Sequence, residues 1–147
     1  MITPFVVQQT GTGTQADHTV VEVTGTNAAT EKVIWHVTLR PPHWDDVYSG
    51  FRVSVVGAEQ NVAVVRVSSP SGDNAVTYGI DLHSFRQTWA IDQFSASAVA
   101  GGAVVGTAHE DTVGIAQHPA GYDLVTGRLR WQGGLNRPGF GRDLRLW

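Results

Sequence analysis

The sequence predicts an all-β fold in which four-stranded antiparallel units repeat about three times within a single domain, residues 1–147. Short runs of β-branched residues alternate with turn formers such as glycine, proline, asparagine and aspartate. No window of a dozen residues carries the 3.6-residue apolar period of a helix. An 11-residue pattern, Gly-x-Asx-x-x-Ser/Thr-x-x-x-x-Trp, begins at Gly25, Gly79 and Gly121, and its tryptophans lie 54 and 42 positions apart. That spacing indicates a repeat architecture.

The predicted strands group into three units, at about residues 5–40, 50–92 and 95–132. The first unit offers strands at 5–8, 19–23 and 32–37, and no strand precedes them. The second unit offers strands at 52–56, 61–67, 76–81 and 86–90. The third has strands at 97–100, 103–107 and 128–131, with one more at either 112–115 or 121–123. Residues 133–147 are either a tail or an exchanged strand.

Each residue type that the three copies share has a structural explanation. Asn27, Asp81 and Asp123 end a strand, where a short carboxylate or amide bonds to backbone N–H groups of the following turn. The Ser or Thr three residues later adds a hydroxyl to the same turn. Gly127 supplies a positive φ in the third copy, where the other copies have Glu31 and Phe85. The tryptophans then lie on the outer strand and cover the gap between neighbouring units.

Four-stranded units repeated in tandem are the blades of a β-propeller. The third copy, residues 121–131, resembles the Ala-x-Asp-x-x-Thr-Gly-x-x-x-Trp signature of the pyrroloquinoline-quinone (PQQ) type propeller repeat, and residues 97–107 resemble the two strands that precede it. The resemblance extends over about residues 20–132. It implies a propeller fold and a bacterial source. Because that family includes dehydrogenases, an outer-membrane assembly scaffold and propellers with no cofactor, the resemblance predicts fold rather than activity.

Three units are too few to close a propeller, which usually has 4 to 8 blades. We therefore expect an incomplete ring that is part of a longer propeller or is completed by self-association of two chains; the alternative is a closed β-sandwich. Residues 144–147 alternate apolar and polar side chains, as a half-buried strand does. We expect them to supply the strand that the first unit lacks, in a second copy or in the rest of a larger protein.

Composition excludes several classes of function. A net charge of −3 gives no general attraction to nucleic acid, and no apolar stretch is long enough to span a membrane. The absence of cysteine excludes disulfides, thiolate metal sites and a cysteine nucleophile. Residues 1–7 lack the features of a signal peptide, so the chain is either cytoplasmic or a piece of a secreted protein.

Two groups of residues are candidate sites. His109, Glu110, Asp111 and His118 form the densest group of possible metal ligands, of a kind that suits zinc or iron. The alternative is a set of polar residues at a hairpin tip. His43, Trp44, Asp45 and Asp46 form the second group, in which a tryptophan beside carboxylates would hold a sugar ring or a peptide. The alternative there is a linker tryptophan that packs between units.

These observations predict a non-catalytic binding or scaffold module with no cofactor, whose partner is a protein or a second copy at the open edges of the units, or a peptide or glycan. The first alternative is a structural assembly subunit, and the second is a metal-dependent hydrolase. A quinoprotein enzyme would need a complete propeller with a calcium site, which three units cannot supply.

Overall fold

The computed structural model describes residues 1–9, 13–14, 18–41, 51–69, 74–109 and 117–133. Eleven strands and no helix occur within these ranges. The strands are β1 (Ile2–Gln9), β2 (His18–Thr26), β3 (Val33–Leu39), β4 (Arg52–Glu59), β5 (Val62–Ser68), β6 (Ala75–Asp81), β7 (Arg86–Asp92), β8 (Phe94–Ala100), β9 (Ala103–His109), β10 (Gln117–Asp123) and β11 (Leu129–Gln132). The predicted all-β class is confirmed.

The strands form three antiparallel sheets, each from consecutive strands. We call β1-β2-β3 the N-terminal sheet, β4-β5-β6-β7 the middle sheet and β8-β9-β10-β11 the C-terminal sheet. Of the two positions predicted for the third strand of the last unit, the structure has residues 121–123, within β10; residues 112–115 lie outside the described ranges. Stacked antiparallel sheets of this kind occur both in propellers and in sandwiches.

The middle sheet is buried on both faces, which explains the nearly continuous apolar run in β5. Ala63, Val65 and Val67 belong to a core shared with the N-terminal sheet. Val62 and Val64 belong to a second core, shared with the C-terminal sheet. Because successive side chains of a strand point to opposite faces, a strand between two cores needs apolar residues at nearly every position.

A buried polar contact joins the middle and C-terminal sheets within the second core. The Thr77 hydroxyl, which is fully buried, donates to the carbonyl of Phe94 at 2.8 Å and accepts from the N–H of Ala96 at 3.2 Å. Arg66 donates to the carbonyl of Ala96 at 2.9 Å. Every one of these groups therefore has a hydrogen-bond partner, and β8 is held in register against the middle sheet.

The same irregularity occurs in the first strand of the middle and C-terminal sheets. The pairing of β4 with β5 shifts between Val55 and Gly57, and that of β8 with β9 shifts between Ala96 and Ala98. A β-bulge of this kind bends its strand and increases the local twist. The two four-stranded sheets therefore share a structural detail that the 11-residue pattern does not include.

The described part of the N-terminal sheet has three strands, and β1 forms one edge. Met1 and Thr26 exchange two backbone hydrogen bonds, at 2.9 and 2.8 Å. Even-numbered residues of β1 therefore direct their backbone groups away from β2. Pro4 is one of them, so this edge lacks a donor, a common device that limits edge-to-edge pairing. Residues 140–147, the expected source of an additional strand, lie outside the described ranges.

No helix among the described residues is long and apolar enough to cross a membrane.

We expect Thr77→Val to lower the free energy of unfolding by about 1–3 kcal/mol, because the carbonyl of Phe94 and the N–H of Ala96 lose a buried partner. Urea unfolding measures this effect. Thr24→Val is the control, since its hydroxyl donates at a solvent-exposed position, over 3.3 Å to Thr3, and should change stability by less than about 0.5 kcal/mol. Equal losses in the two variants would contradict the role of Thr77.

Candidate functional site

The three copies of the 11-residue pattern form the same Asx turn. In each copy the side-chain oxygen of Asn27, Asp81 or Asp123 accepts hydrogen bonds from the backbone N–H groups two and three residues further on, at 2.7–3.4 Å. In the first and third copies the threonine hydroxyl accepts a further bond from the backbone two residues later. These side chains are therefore occupied by the turn, as the sequence predicts.

The turn ends with a left-handed residue in every copy. Gly127 has a φ of 72°, as predicted for the third copy, and Phe85 and Glu31 take the same region at 57° and 58°. Side chains other than glycine, asparagine or aspartate rarely adopt this conformation. The hydrogen bonds of the turn are what hold Phe85 and Glu31 there, since each N–H bonds to the carbonyl of the Asx residue at 2.8 Å.

The glycine that begins each copy of the pattern faces the tryptophan that ends the same copy. Gly25 pairs with Trp35, Gly79 with Trp89 and Gly121 with Trp131 across adjacent strands. In all three pairs the indole ring occupies the place where a Cβ on the glycine would lie. The glycine is therefore required because the ring lies flat on its backbone, and not because of an unusual φ.

The tryptophans of the first two sheets reach the turn of the next sheet. Trp35 stacks on Phe85 of the middle sheet, with ring centroids 5.5 Å apart and planes at 20°. Trp89 donates from Nε1 to the carbonyl of Leu124 at 2.9 Å and packs on Gly127, whose ideal Cβ position lies 2.6 Å from Cγ of the ring. We call this contact, between a tryptophan and the Asx turn of the following sheet, the tryptophan seam.

The third tryptophan has no such contact with any described residue. Trp131 is 45% exposed, whereas Trp89 is 8% exposed. Leu129 and Val125 of the same hairpin are also exposed. Arg130 pairs with Asp123 at 3.1 Å within the same hairpin, so the charged groups here are satisfied locally.

A cleft of about 360 Å³ lies between β3 of the N-terminal sheet and the last two strands of the middle sheet. A volume of this size is typical of small-ligand sites. Its walls carry both signs of charge, a phenol and aliphatic side chains, from Thr38, Arg40, Val76, Tyr78, Ala90 and Asp92.

Tyr78 is the most unusual group in this cleft. It is 2% exposed, and its hydroxyl is buried with no hydrogen-bond partner among the described residues. Burial, and to a smaller degree the negative charge of Asp92, raises the pKa of Tyr78 above its usual range. The protonated phenol is therefore a buried donor without a partner among the described residues.

The sequence did not single out Arg40, Tyr78 or Asp92. Tyr78 lies in a run of buried strand residues, where it looks like an ordinary core residue. Arg40 and Asp92 end strands that are remote in the sequence, and β3 meets β7 only because the two sheets stack. No local pattern could have indicated this combination.

The predicted metal ligands are divided by the described structure. His109 pairs with Gln117, and His118 with Ala108, so the two imidazoles lie on opposite faces of the β9–β10 hairpin. In each ring Nδ1 is buried and lacks a partner among the described residues. Glu110 and Asp111 lie outside the described ranges, so the metal site stays a prediction. Within those ranges no group of three His, Asp or Glu side chains is placed to hold an ion.

The second predicted group, His43, Trp44, Asp45 and Asp46, lies outside the described ranges. It follows Arg40 and Pro41 directly in the sequence. Its role as a ligand-binding segment stays a prediction.

We expect Gly79→Ala to destabilise the protein by about 2 kcal/mol or more, because Trp89 is buried and its ring cannot move off the new methyl group. Gly121→Ala is the matched variant. It should cost less than half as much, since the exposed Trp131 can turn into solvent. Thermal and urea unfolding compare the two, and equal losses would contradict this account.

We expect Asp81→Asn and Asp123→Asn to reduce the loss of stability in acid. Hydrogen bonds from the turn backbone, first from His83 and Thr126 respectively, lower the pKa of each aspartate. A carboxylate with a lowered folded-state pKa stabilises the fold above its unfolded pKa, and this contribution is lost as pH falls below about 4. Asn27 already forms the same turn without a titratable group. Unfolding midpoints at pH 7 and pH 3 measure the difference, and an unchanged acid loss in the double variant would refute the idea.

Comparison with known proteins leaves function to be argued from this geometry. No protein-family model matches the chain, and no curated protein matches it either.

Proposed function

We propose that this chain is a non-catalytic binding module built from propeller-type blades, completed by self-association or by further blades in a longer chain. Three successive sheets share the Asx turn and the glycine–tryptophan pair, and the two four-stranded sheets share the bulge. The seam carries each sheet onto the next with the same contact, which is what a propeller requires. The resemblance of residues 121–131 to the PQQ-type repeat supports the same architecture.

The cleft between the N-terminal and middle sheets is the observation that carries the binding role. Arg40 is exposed and forms no ion pair in the described part of the chain. Asp92 is exposed and accepts a bond from the neighbouring N–H of Gln93 at 2.9 Å, which leaves its second oxygen free for a ligand. An exposed cation and an exposed carboxylate at one cleft are groups that orient a polar ligand.

A peptide segment suits this cleft better than a glycan. Sugar rings usually stack on an exposed aromatic face, and the aromatic ring at this cleft, that of Tyr78, is buried. A peptide that carries an acidic and a basic side chain matches Arg40 and Asp92. Its apolar side chains would contact Ala90, the exposed aliphatic residue of the cleft.

The second candidate function is that of a structural assembly subunit. The exposed Trp131 favours it, because a large exposed aromatic ring is typical of a protein contact surface.

We expect peptides with both charges to bind on a peptide array, and Arg40→Ala and Asp92→Asn each to weaken that binding about tenfold or more. Both side chains are exposed, so the variants should fold normally. Arg128→Ala, an exposed arginine on the C-terminal sheet, is the control and should bind as the parent does.

Several outcomes would overturn this proposal. A parent protein that binds neither peptides nor glycans would reject a role for the cleft, and glycan binding that is lost in the same variants would replace the peptide by a sugar. Stoichiometric zinc or calcium in the purified protein, together with hydrolytic activity, would favour the metal-dependent hydrolase.

A further inference from the structure

We propose that Trp131 docks onto the turn at residues 27–31 of a second copy of this chain, so that two copies close into one ring of six sheets. This inference rests on the propeller-type architecture proposed above, and it does not depend on what the cleft binds. The contact on which it rests, the tryptophan seam, occurs twice among the described sheets. The C-terminal sheet has a tryptophan without a matching turn, and the N-terminal sheet has a turn without a matching tryptophan, among the described residues.

The rule of the seam is the same at both internal positions. A tryptophan on the last strand of one sheet contacts the Asx turn of the following sheet, as Trp35 does with Phe85 and Trp89 does with Leu124 and Gly127. Three sheets each supply one tryptophan and one turn. Two internal seams therefore use two of each and leave one of each over.

The groups left over are Trp131 on the C-terminal sheet and the turn at 27–31 on the N-terminal sheet. Residues 27–34 are all exposed, and Val33 and Ile34 in β3 are 61% and 62% exposed. The corresponding turn residue Leu124 is fully buried, in the core that contains Trp89. The first turn therefore has the backbone conformation of a seam turn, and no tryptophan of the described residues packs on it.

Exposed apolar side chains concentrate at the two ends of the stack. Of the nine large hydrophobic residues exposed in the described ranges, eight belong to the end sheets and Phe85 alone to the middle sheet. The N-terminal sheet exposes Met1, Phe5, Val6, Val33 and Ile34, and the C-terminal sheet exposes Val125, Leu129 and Trp131. Two apolar ends on one molecule are what a head-to-tail contact buries.

A second copy would supply a turn for Trp131 and a tryptophan for the turn at residues 27–31. Each copy supplies one tryptophan and one turn, so two copies related by a twofold axis form two identical seams and leave none open. Two copies of three sheets make six, which lies within the range of about 4 to 8 blades found in propellers. Three copies would make nine, which lies outside it.

The seam between the middle and C-terminal sheets specifies the contact. Leu124, which accepts the Nε1 bond of Trp89, corresponds to Ala28 in the first turn. We therefore expect Nε1 of Trp131 to donate to the carbonyl of Ala28 in the partner copy. Ala28 has a smaller side chain than Leu82 and Leu124, the residues at the same position of the other two turns. A larger apolar residue at position 28 would therefore fill more of the seam and strengthen the contact.

The test is the mass in solution of the full chain and of two matched variants. The parent should have twice the chain mass of 15.8 kDa. Ala28→Arg places a large side chain under Trp131 and should give monomers. Ala29→Arg is its control, because the corresponding residues His83 and Val125 are exposed in both internal turns, and it should remain dimeric. Both alanines are exposed within one chain, so neither variant should alter folding by circular dichroism.

Two further variants test the opposite direction and the other side of the seam. Ala28→Leu should lower the dissociation constant of the dimer about tenfold, since it buries added apolar surface at each seam. Trp131→Ala should give monomers.

A parent chain that stays monomeric at high concentration would overturn the second copy as partner, while peptide binding at the cleft would keep the proposed function. A dimer that survives both Ala28→Arg and Trp131→Ala would show that the copies meet elsewhere, and that result would also overturn the inference. Loss of the dimer in Trp131→Ala alone would reject the turn at 27–31 as the site where Trp131 docks.

Discussion

The packing of a tryptophan ring on a glycine in the adjacent strand is the interaction on which the rest of this structure depends. A side chain on Gly25, Gly79 or Gly121 would occupy the volume of the ring, so the indole can lie flat on the sheet only where the residue opposite has none. Lying flat, the ring extends sideways toward the next sheet and meets its turn. One local pairing therefore fixes both the outer strand of a sheet and the position of its neighbour.

The turn that receives the ring is shaped by the same pattern. The Asx side chain and the left-handed residue hold the backbone so that a carbonyl, that of Leu124 in the best-formed case, faces the indole N–H at 2.9 Å. Deeper in the stack, the hydroxyl of Thr77 joins β6 to β8. The middle and C-terminal sheets are thus joined by polar contacts at the seam and at Thr77 within the apolar core, and also by hydrogen bonds of Arg66 and Glu59.

This organisation separates two kinds of surface. The cleft between the N-terminal and middle sheets is lined by residues of one chain, and the guanidinium of Arg40 forms no ion pair among the described residues. The exposed Trp131 and the exposed turn at residues 27–31 are parts of the seam pattern, and neither has a seam partner among the described residues. The proposed binding and assembly surfaces use different residues, although the N-terminal sheet contributes to both: Arg40 lies at the cleft, and residues 27–31 form the exposed turn.

The sequence by itself determined the all-β class, the positions of most strands and the conformation of the three turns. These features depend on contacts within a few residues: alternation along a strand, an Asx side chain bonding two and three residues on, and glycine at Gly127. The repeat also indicated the role of tryptophan at the gap between units, although the reason for the glycine opposite it needed the strand register.

Only the tertiary structure decided which groups meet across sheets. His109 and His118 look like a pair in the sequence, yet the register of one hairpin places them on opposite faces. Arg40, Tyr78 and Asp92 show no common pattern, yet they surround one cleft because β3 stacks against β6 and β7. Likewise, three equivalent tryptophans differ in exposure because two have a following sheet and Trp131 has none in the described structure. Pairing and stacking join residues that are distant along the chain, and no pattern within a single strand or turn contains that information.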